Sequence, residues 1–128
     1  MMKIYGIGND IANINRIKKS LKNKNFIKRI FNKIEVKKCN NYVNKSNCFA
    51  KRFAAKEAFA KALGTGISNG IKFNEIVIHN IKSGKPSIKL LGNTKKIIKR
   101  ILRNKKFNTF ISLSDDKPFA LATVIITL

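Results

Sequence analysis

Only six side chains in this 128-residue chain are carboxylates, against 28 lysines and arginines. Two of the six, Asp10 and Glu57, stand where an acid is costly. Glu57 lies in a segment, residues 49–67, that reads as a helix apolar on nearly every side. Ala50, Phe53, Ala54 and Ala60 share its face, and Ala55, Ala58, Phe59 and Ala62 fill the opposite one. A helix without a polar stripe belongs in a protein interior. A carboxylate carried there needs a cation or a metal ion as partner. Lys61, one turn on, points the same way. The plainest reading of the two is an i,i+4 ion pair, contributing roughly 0.2–0.5 kcal/mol.

Asp10 closes the segment Lys3-Ile4-Tyr5-Gly6-Ile7-Gly8-Asn9-Asp10-Ile11, which reads as a strand. Side chains alternate along a strand, so Gly6, Gly8 and Asp10 share one face while Tyr5 and Ile7 share the other. That face is bare up to the acid, which lets a ligand or another backbone approach closely. It is no dinucleotide fingerprint, because the third glycine is missing and no tight turn leads into a helix at that spacing. Two carboxylates, a nearby lysine and a glycine-rich surface suit a magnesium ion, which takes one or two carboxylates, waters and substrate phosphates.

At this point the motifs carry a resemblance. Gly6-Ile7-Gly8-Asn9-Asp10-Ile11 followed by Arg16-Ile17 resembles the opening motif of the bacterial holo-acyl-carrier-protein synthases, which are phosphopantetheinyl transferases. Arg52-Phe53-Ala54-Ala55-Lys56-Glu57-Ala58, with Lys61, Gly64, Thr65 and Gly66, resembles their central Lys-Glu-Ala helix. Gly84-Lys85-Pro86 and the closing block that starts at Ser112-Leu113-Ser114-Asp115 resemble two later motifs, each weak alone. Order and spacing agree along nearly the whole chain.

The resemblance implies magnesium-dependent transfer of the 4'-phosphopantetheine arm of coenzyme A to a serine of an acidic apo acyl carrier protein, releasing adenosine 3',5'-bisphosphate. It implies that Asp10 and Glu57 hold the Mg2+ and that Glu57 and Lys61 are catalytic. Arg52, Lys61, Gly64, Thr65 and Gly66 are the implied coenzyme A contacts. Arg16 matches the opening motif; with Lys19 and Lys22 it forms the implied docking face for the carrier protein. The family also implies a homotrimer with active sites between protomers.

Several of these residues have simpler readings. Gly64 suits a helix C-cap. Arg16, Lys19 and Lys22 suit a solvated basic face. Either a metal-bound water or Glu57 itself is placed to take the serine proton. Many family members carry a histidine where Asp115 falls. The one histidine here, His79, sits in an alternating strand, so a histidine base from the last motif is not expected. Asp115 and Asp116, followed by Lys117 and Pro118, suit a hairpin turn; that role is favoured for Asp116, and Asp115 stays open between turn and chemistry.

Composition bounds the remainder. A chain of 128 residues is expected to be a single domain over 1–128, large enough for a core and small for a deep pocket of its own. A formal net charge of +22 favours acidic partners or polyanionic ligands, although heavy use of lysine, asparagine and isoleucine also fits adenine- and thymine-rich coding. The competing class is a small ribosome-associated, nucleic-acid-binding protein. Single-strand readers pair basic grooves with exposed aromatics, whereas most phenylalanines here fall at core-like spacings. No nucleic-acid partner is therefore expected. Cys39 and Cys48 lack metal or redox-motif spacing, and two free thiols imply a reducing, cytoplasmic setting. No signal peptide and no apolar run long enough to span a bilayer is seen, so no membrane association is expected.

These residues require an α+β scaffold: a small antiparallel sheet packed on a central buried helix, with shorter helices around it. Residues 15–22 begin a basic helix, and short helical turns follow around Phe26 to Ile34. Residues 73–79 and 87–91 read as strands of a hairpin, and residues 95–102 as an amphipathic helix. Residues 107–113 and 119–127 read as a closing hairpin.

Overall fold

The computed structural model of the protein describes residues 2–66 and 70–128, so Ile67 of the central segment lies outside the described residues. The elements are β1 (Ile4–Asn13), α1 (Ile14–Ser20), α2 (Lys24–Ile30), α3 (Lys33–Asn40) and α4 (Lys45–Leu63). A 3-10 turn at Phe73–Glu75 leads to β2 (Ile76–Asn80), β3 (Pro86–Leu90), α5 (Gly92–Ile101), β4 (Asn108–Asp116) and β5 (Phe119–Thr127). The architecture is the expected α+β one, with the strands divided between two antiparallel sheets, β1-β5-β4 and β2-β3.

Asparagine marks the helix starts. Asn13, Asn23 and Asn32 each accept a backbone N–H from the first turn of α1, α2 and α3. A side-chain oxygen at that position satisfies a donor the helix cannot. In α3 the bond is reciprocated, because Glu35 accepts the Asn32 N–H at 2.9 Å.

Two boundaries differ from expectation. Residues 73–75, expected as strand, form the 3-10 turn, where Glu75 turns aside to accept the Thr94 hydroxyl at 2.7 Å. Asp115 and Asp116 are strand residues facing Ala120 and Phe119, which leaves only Lys117 and Pro118 for the hairpin loop.

α4 is the centre of the molecule. Twelve of its 19 residues are buried, on all sides. One side packs on β1, where a Cβ at Gly6 or Gly8 would collide with the backbone carbonyl of Ala62 or Ala58. The bare strand face thus receives a helix backbone, one of the two occupants expected for it. Phe31, Phe49, Phe59 and Phe73 are in the core, and only Phe110 and Phe119 are largely exposed. The cysteines depart from the expectation of free thiols: Cys39 at the end of α3 and Cys48 in the first turns of α4 form a disulfide, with Cα atoms 5.4 Å apart.

The opposite side of α4 carries a charge that sequence patterning did not expose. Lys56 is wholly buried, and its Nζ donates to Glu35 Oε1 at 2.7 Å, Phe73 O at 2.8 Å and Ile76 O at 2.6 Å. The other Glu35 oxygen accepts the Ile78 N–H at 3.0 Å. Burial lowers the Lys56 pKa to about 8, with the Glu35 carboxylate opposing the drop. Lys56→Met removes one partner and strands the other as a lone buried carboxylate. Urea denaturation is expected to show a loss of roughly 3–5 kcal/mol; a loss below about 1 kcal/mol, the scale of an exposed pair, would contradict this account of the core.

Candidate active site

β1 and α4 bring the two predicted acids together. Asp10 follows Gly6 and Gly8 on the strand face that meets the helix, and Glu57 lies on the turn of α4 beside Ala58, whose carbonyl touches Gly8. Glu57 is half-buried, and its carboxyl pKa is raised, first by desolvation and then by the Asp10 carboxylate, against the opposing pull of Lys61. Lys61, one helical turn beyond Glu57, reaches Asp10, which sets both acids at the same edge of the helix–strand contact.

Lys61 corrects one detail. The expected i,i+4 pair with Glu57 is not its ion pair in this structure. Its Nζ donates to Asp10 Oδ1 at 3.0 Å and to the Asn9 carbonyl at 3.0 Å, tying the end of α4 to β1. One cation therefore serves two carboxylates, and the site retains excess negative charge. Among the described residues no cluster of three or more His, Cys, Asp or Glu side chains forms. Two hard oxygen donors fit magnesium, which fills its remaining positions with water and phosphate, and do not fit the closed ligand sets of structural zinc.

The remaining predicted residues fall in three places. Gly64 ends α4 in the left-handed conformation, φ 81°, with its N–H donated to Ala60 O and Lys61 O. That amide serves as the C-cap. Thr65 and Gly66 follow it on the exposed surface. Arg52 points to the other side of α4, where its guanidinium donates to Cys48 O, Cys48 Sγ and Asn80 Oδ1. It also lines a cavity of about 400 Å³ with Tyr42, Lys51, Asn80, Lys85 and Ser112. Burial lowers the Arg52 pKa, opposed by Glu35 and Tyr42. Arg16, Lys19 and Lys22 are exposed at α1, with Lys22 just past the helix end.

Asp115, left open between turn and chemistry, sits at the far end of β4. It accepts from Asn47 Nδ2 at 2.7 Å and faces Lys51 Nζ at 3.6 Å. His79 is a half-buried strand residue opposite Ser87, distant in sequence register from the acids. Lys51 and Lys85 were not singled out as site residues beforehand. Lys85 belonged to a recognised motif, and Lys51 gave no signal beyond being one more lysine.

α4, seated on the glycine-bearing β1, thus presents two acids and a lysine at one edge of an α+β domain. Residues 6–124 match the family model described as the 4'-phosphopantetheinyl transferase superfamily. The chain is 48% identical over 125 residues to the holo-[acyl-carrier-protein] synthase of Pelagibacter ubique, covering 98% of both sequences. Its structure is similar to that of the holo-[acyl-carrier-protein] synthase of Neisseria meningitidis, with 36% identity, a TM-score of 0.86, and 97% and 98% of the two chains covered. The Helicobacter pylori holo-[acyl-carrier-protein] synthase, solved in complex with coenzyme A, matches with 33% identity and a TM-score of 0.78 over 94% and 98% of the chains. The chain belongs to the 4'-phosphopantetheinyl transferase superfamily.

The sign of the Glu57 shift gives a test. Because the folded pKa lies above the unfolded one, the folded state binds more protons just above the ordinary carboxylate range, and stability falls as pH rises through that window. The penalty is absent below the ordinary carboxylate range and is complete once pH has risen past the raised folded-state pKa. Glu57→Gln is therefore expected to raise the Tm of metal-free protein at pH 7 and leave it unchanged at acidic pH. A lowered Tm at pH 7 would show that the carboxylate is satisfied by a partner outside this description.

Proposed function

We propose that the chain transfers the 4'-phosphopantetheine arm of coenzyme A to a serine hydroxyl of apo acyl carrier protein, leaving adenosine 3',5'-bisphosphate. The observation that carries this reading is the pairing of Asp10 with Glu57, both acids of the family motifs, at a position that leaves them undercompensated by Lys61. Magnesium held by these two carboxylates would supply charge neutralisation at the diphosphate as its bridging oxygen takes up negative charge. Lys61, more than half exposed, is free at its outer side to meet the same phosphates. Two groups in this reading could take the serine proton, a water on the metal or the Glu57 carboxylate itself. Positioning and charge stabilisation do most of the work in such a transfer.

Arg52, Lys51 and Lys85 give their cavity three cations, the chemistry for the phosphates at the adenosine end of coenzyme A. That cavity borders β4, whereas Asp10 lies on β1, and the two strands are opposite edges of one sheet. A cyclic homotrimer would join the β1 edge of one protomer to the β4 edge of the next, completing one site from two chains. The outward face of the sheet supports self-association, with Ile7 55%, Ile11 57%, Phe110 43% and Leu121 41% exposed. Soluble monomers rarely leave so contiguous an apolar surface open.

For the carrier protein, the exposed Arg16, Lys19 and Lys22 present cations to an acidic partner and would speed its encounter. No helix among the described residues is long and apolar enough to cross a membrane. A cytoplasmic location, where coenzyme A and carrier proteins meet, is part of this proposal. The Cys39–Cys48 disulfide removes the free-thiol argument for a reducing setting, so the location rests on the substrates alone.

Incubation with coenzyme A, Mg2+ and an apo acyl carrier protein is expected to add the mass of one phosphopantetheine to the carrier, read by mass spectrometry. Asp10→Ala is expected to lower the rate at least a hundredfold, the scale set by removing a centre that stabilises transition-state charge. An unchanged carrier mass, with a known transferase active in parallel, would overturn the assignment.

A further inference from the structure

The rotation of α4 about its own axis is unexplained by its hydrophobic pattern. An amphipathic helix takes its orientation from the boundary between core and water. In α4 that boundary is blurred: Lys51, Phe53, Glu57 and Lys61 open to water along one side, yet Ala50, Ala54, Ala55, Ala58, Ala60 and Ala62 are buried and recur around the whole girth. Turning this helix by one residue, about 100°, would exchange one methyl group for another at these six positions, although it would also displace the buried Phe49 and Phe59 rings and the Cys48 end of the disulfide. Such a turn would nevertheless carry Glu57 and Lys61 away from Asp10, so something directional must oppose it.

The contacts of Gly6 and Gly8 with the helix carbonyls set how closely the strand approaches. They are van der Waals contacts and select a turn weakly. The Lys56 ammonium is different. Its three acceptors come from α3 and from both ends of the turn before β2, and each bond has a fixed direction. Glu35 is held in turn by the Asn32 and Ile78 amides. Stability does not account for burying such a pair, since apolar side chains of similar volume commonly serve as well or better.

We infer that the Glu35–Lys56 pair locks the azimuth of α4 and thereby aims Glu57 and Lys61 at Asp10. Lys56 precedes Glu57 by one residue, so fixing one side chain on the α3–β2 side fixes the next toward β1. Both are positioning residues and neither meets the reacting atoms. For its consequence in metal binding the inference rests on the function proposed above; for the geometry it stands alone.

The test uses Glu35→Gln with Lys56→Met, which removes both charges, fills the space with an apolar side chain and keeps one of the two acceptors that serve the Asn32 and Ile78 amides. The variant is expected to fold with a lowered Tm, because Phe73 O, Ile76 O and one backbone amide lose a partner, and to bind Mg2+ alone about tenfold more weakly by calorimetry, the usual cost of disturbing the groups that orient a metal ligand. A metal-free readout separates the two ideas. The coupling between Asp10→Asn and Glu57→Gln in thermal unfolding is expected in the parent and lost in the variant background. Retained coupling overturns the lock whatever the metal does. Parent protein that binds no Mg2+ overturns the metal reading and leaves the coupling to decide the lock. Should the double variant fail to fold, Glu35→Gln alone, which keeps the size of the side chain, is expected to weaken the coupling; undiminished coupling there also overturns the inference.

Discussion

The structure depends on the close approach of a strand to a helix. Gly6 and Gly8 have no Cβ, and the carbonyls of Ala62 and Ala58 occupy the space where one would be. A side chain at either position would push β1 off α4, and with it Asp10 away from Glu57. The alanines of α4 make the matching surface on the helix side. A strand without side chains and a helix with the smallest ones let two backbones meet, and the functional groups stand at the edge of that contact.

Charge is arranged around this contact by burial and by pairing. The interior of α4 holds one fully compensated ion pair, Lys56 with Glu35, whose oxygens and protons are all bonded. The edge holds the opposite arrangement, two acids sharing one exposed lysine. A satisfied pair gives rigidity, and an unsatisfied one gives a site that gains by taking up a divalent cation and the phosphates attached to it. The same helix supplies both, from side chains one residue apart. The disulfide between α3 and α4 adds a covalent tie at the other end of the helix, beside Arg52.

Much of this was legible in the residues. Period-two alternation put Gly6, Gly8 and Asp10 on one strand face, and an unbroken apolar helix around Glu57 marked a buried element. Together with the motif resemblance these were enough to place two acids at one spot. Other features depended on contacts distant in sequence. Nothing near Lys56 shows that its ammonium ends beside Glu35, 21 positions earlier. Lys61 reads as a partner of Glu57 by helical spacing, yet the nearer anion is Asp10, presented by another element. Cys39 and Cys48 read as free thiols because spacing alone says nothing of the turn that brings α3 back to α4. Asp115 and Asp116 read as turn residues by type, while strand pairing with Ala120 and Phe119 extended β4 through them.

The claim beneath all of this is that Asp10 and Glu57 share one electrostatic environment in a single folded chain. It is tested most directly by carbon-13 NMR titration of the Glu57 carboxyl in metal-free protein, with and without Asp10→Asn. The account predicts a pKa above the ordinary carboxylate value in the parent protein and a fall toward that value when the Asp10 charge is removed. An identical Glu57 titration in the two proteins would contradict it.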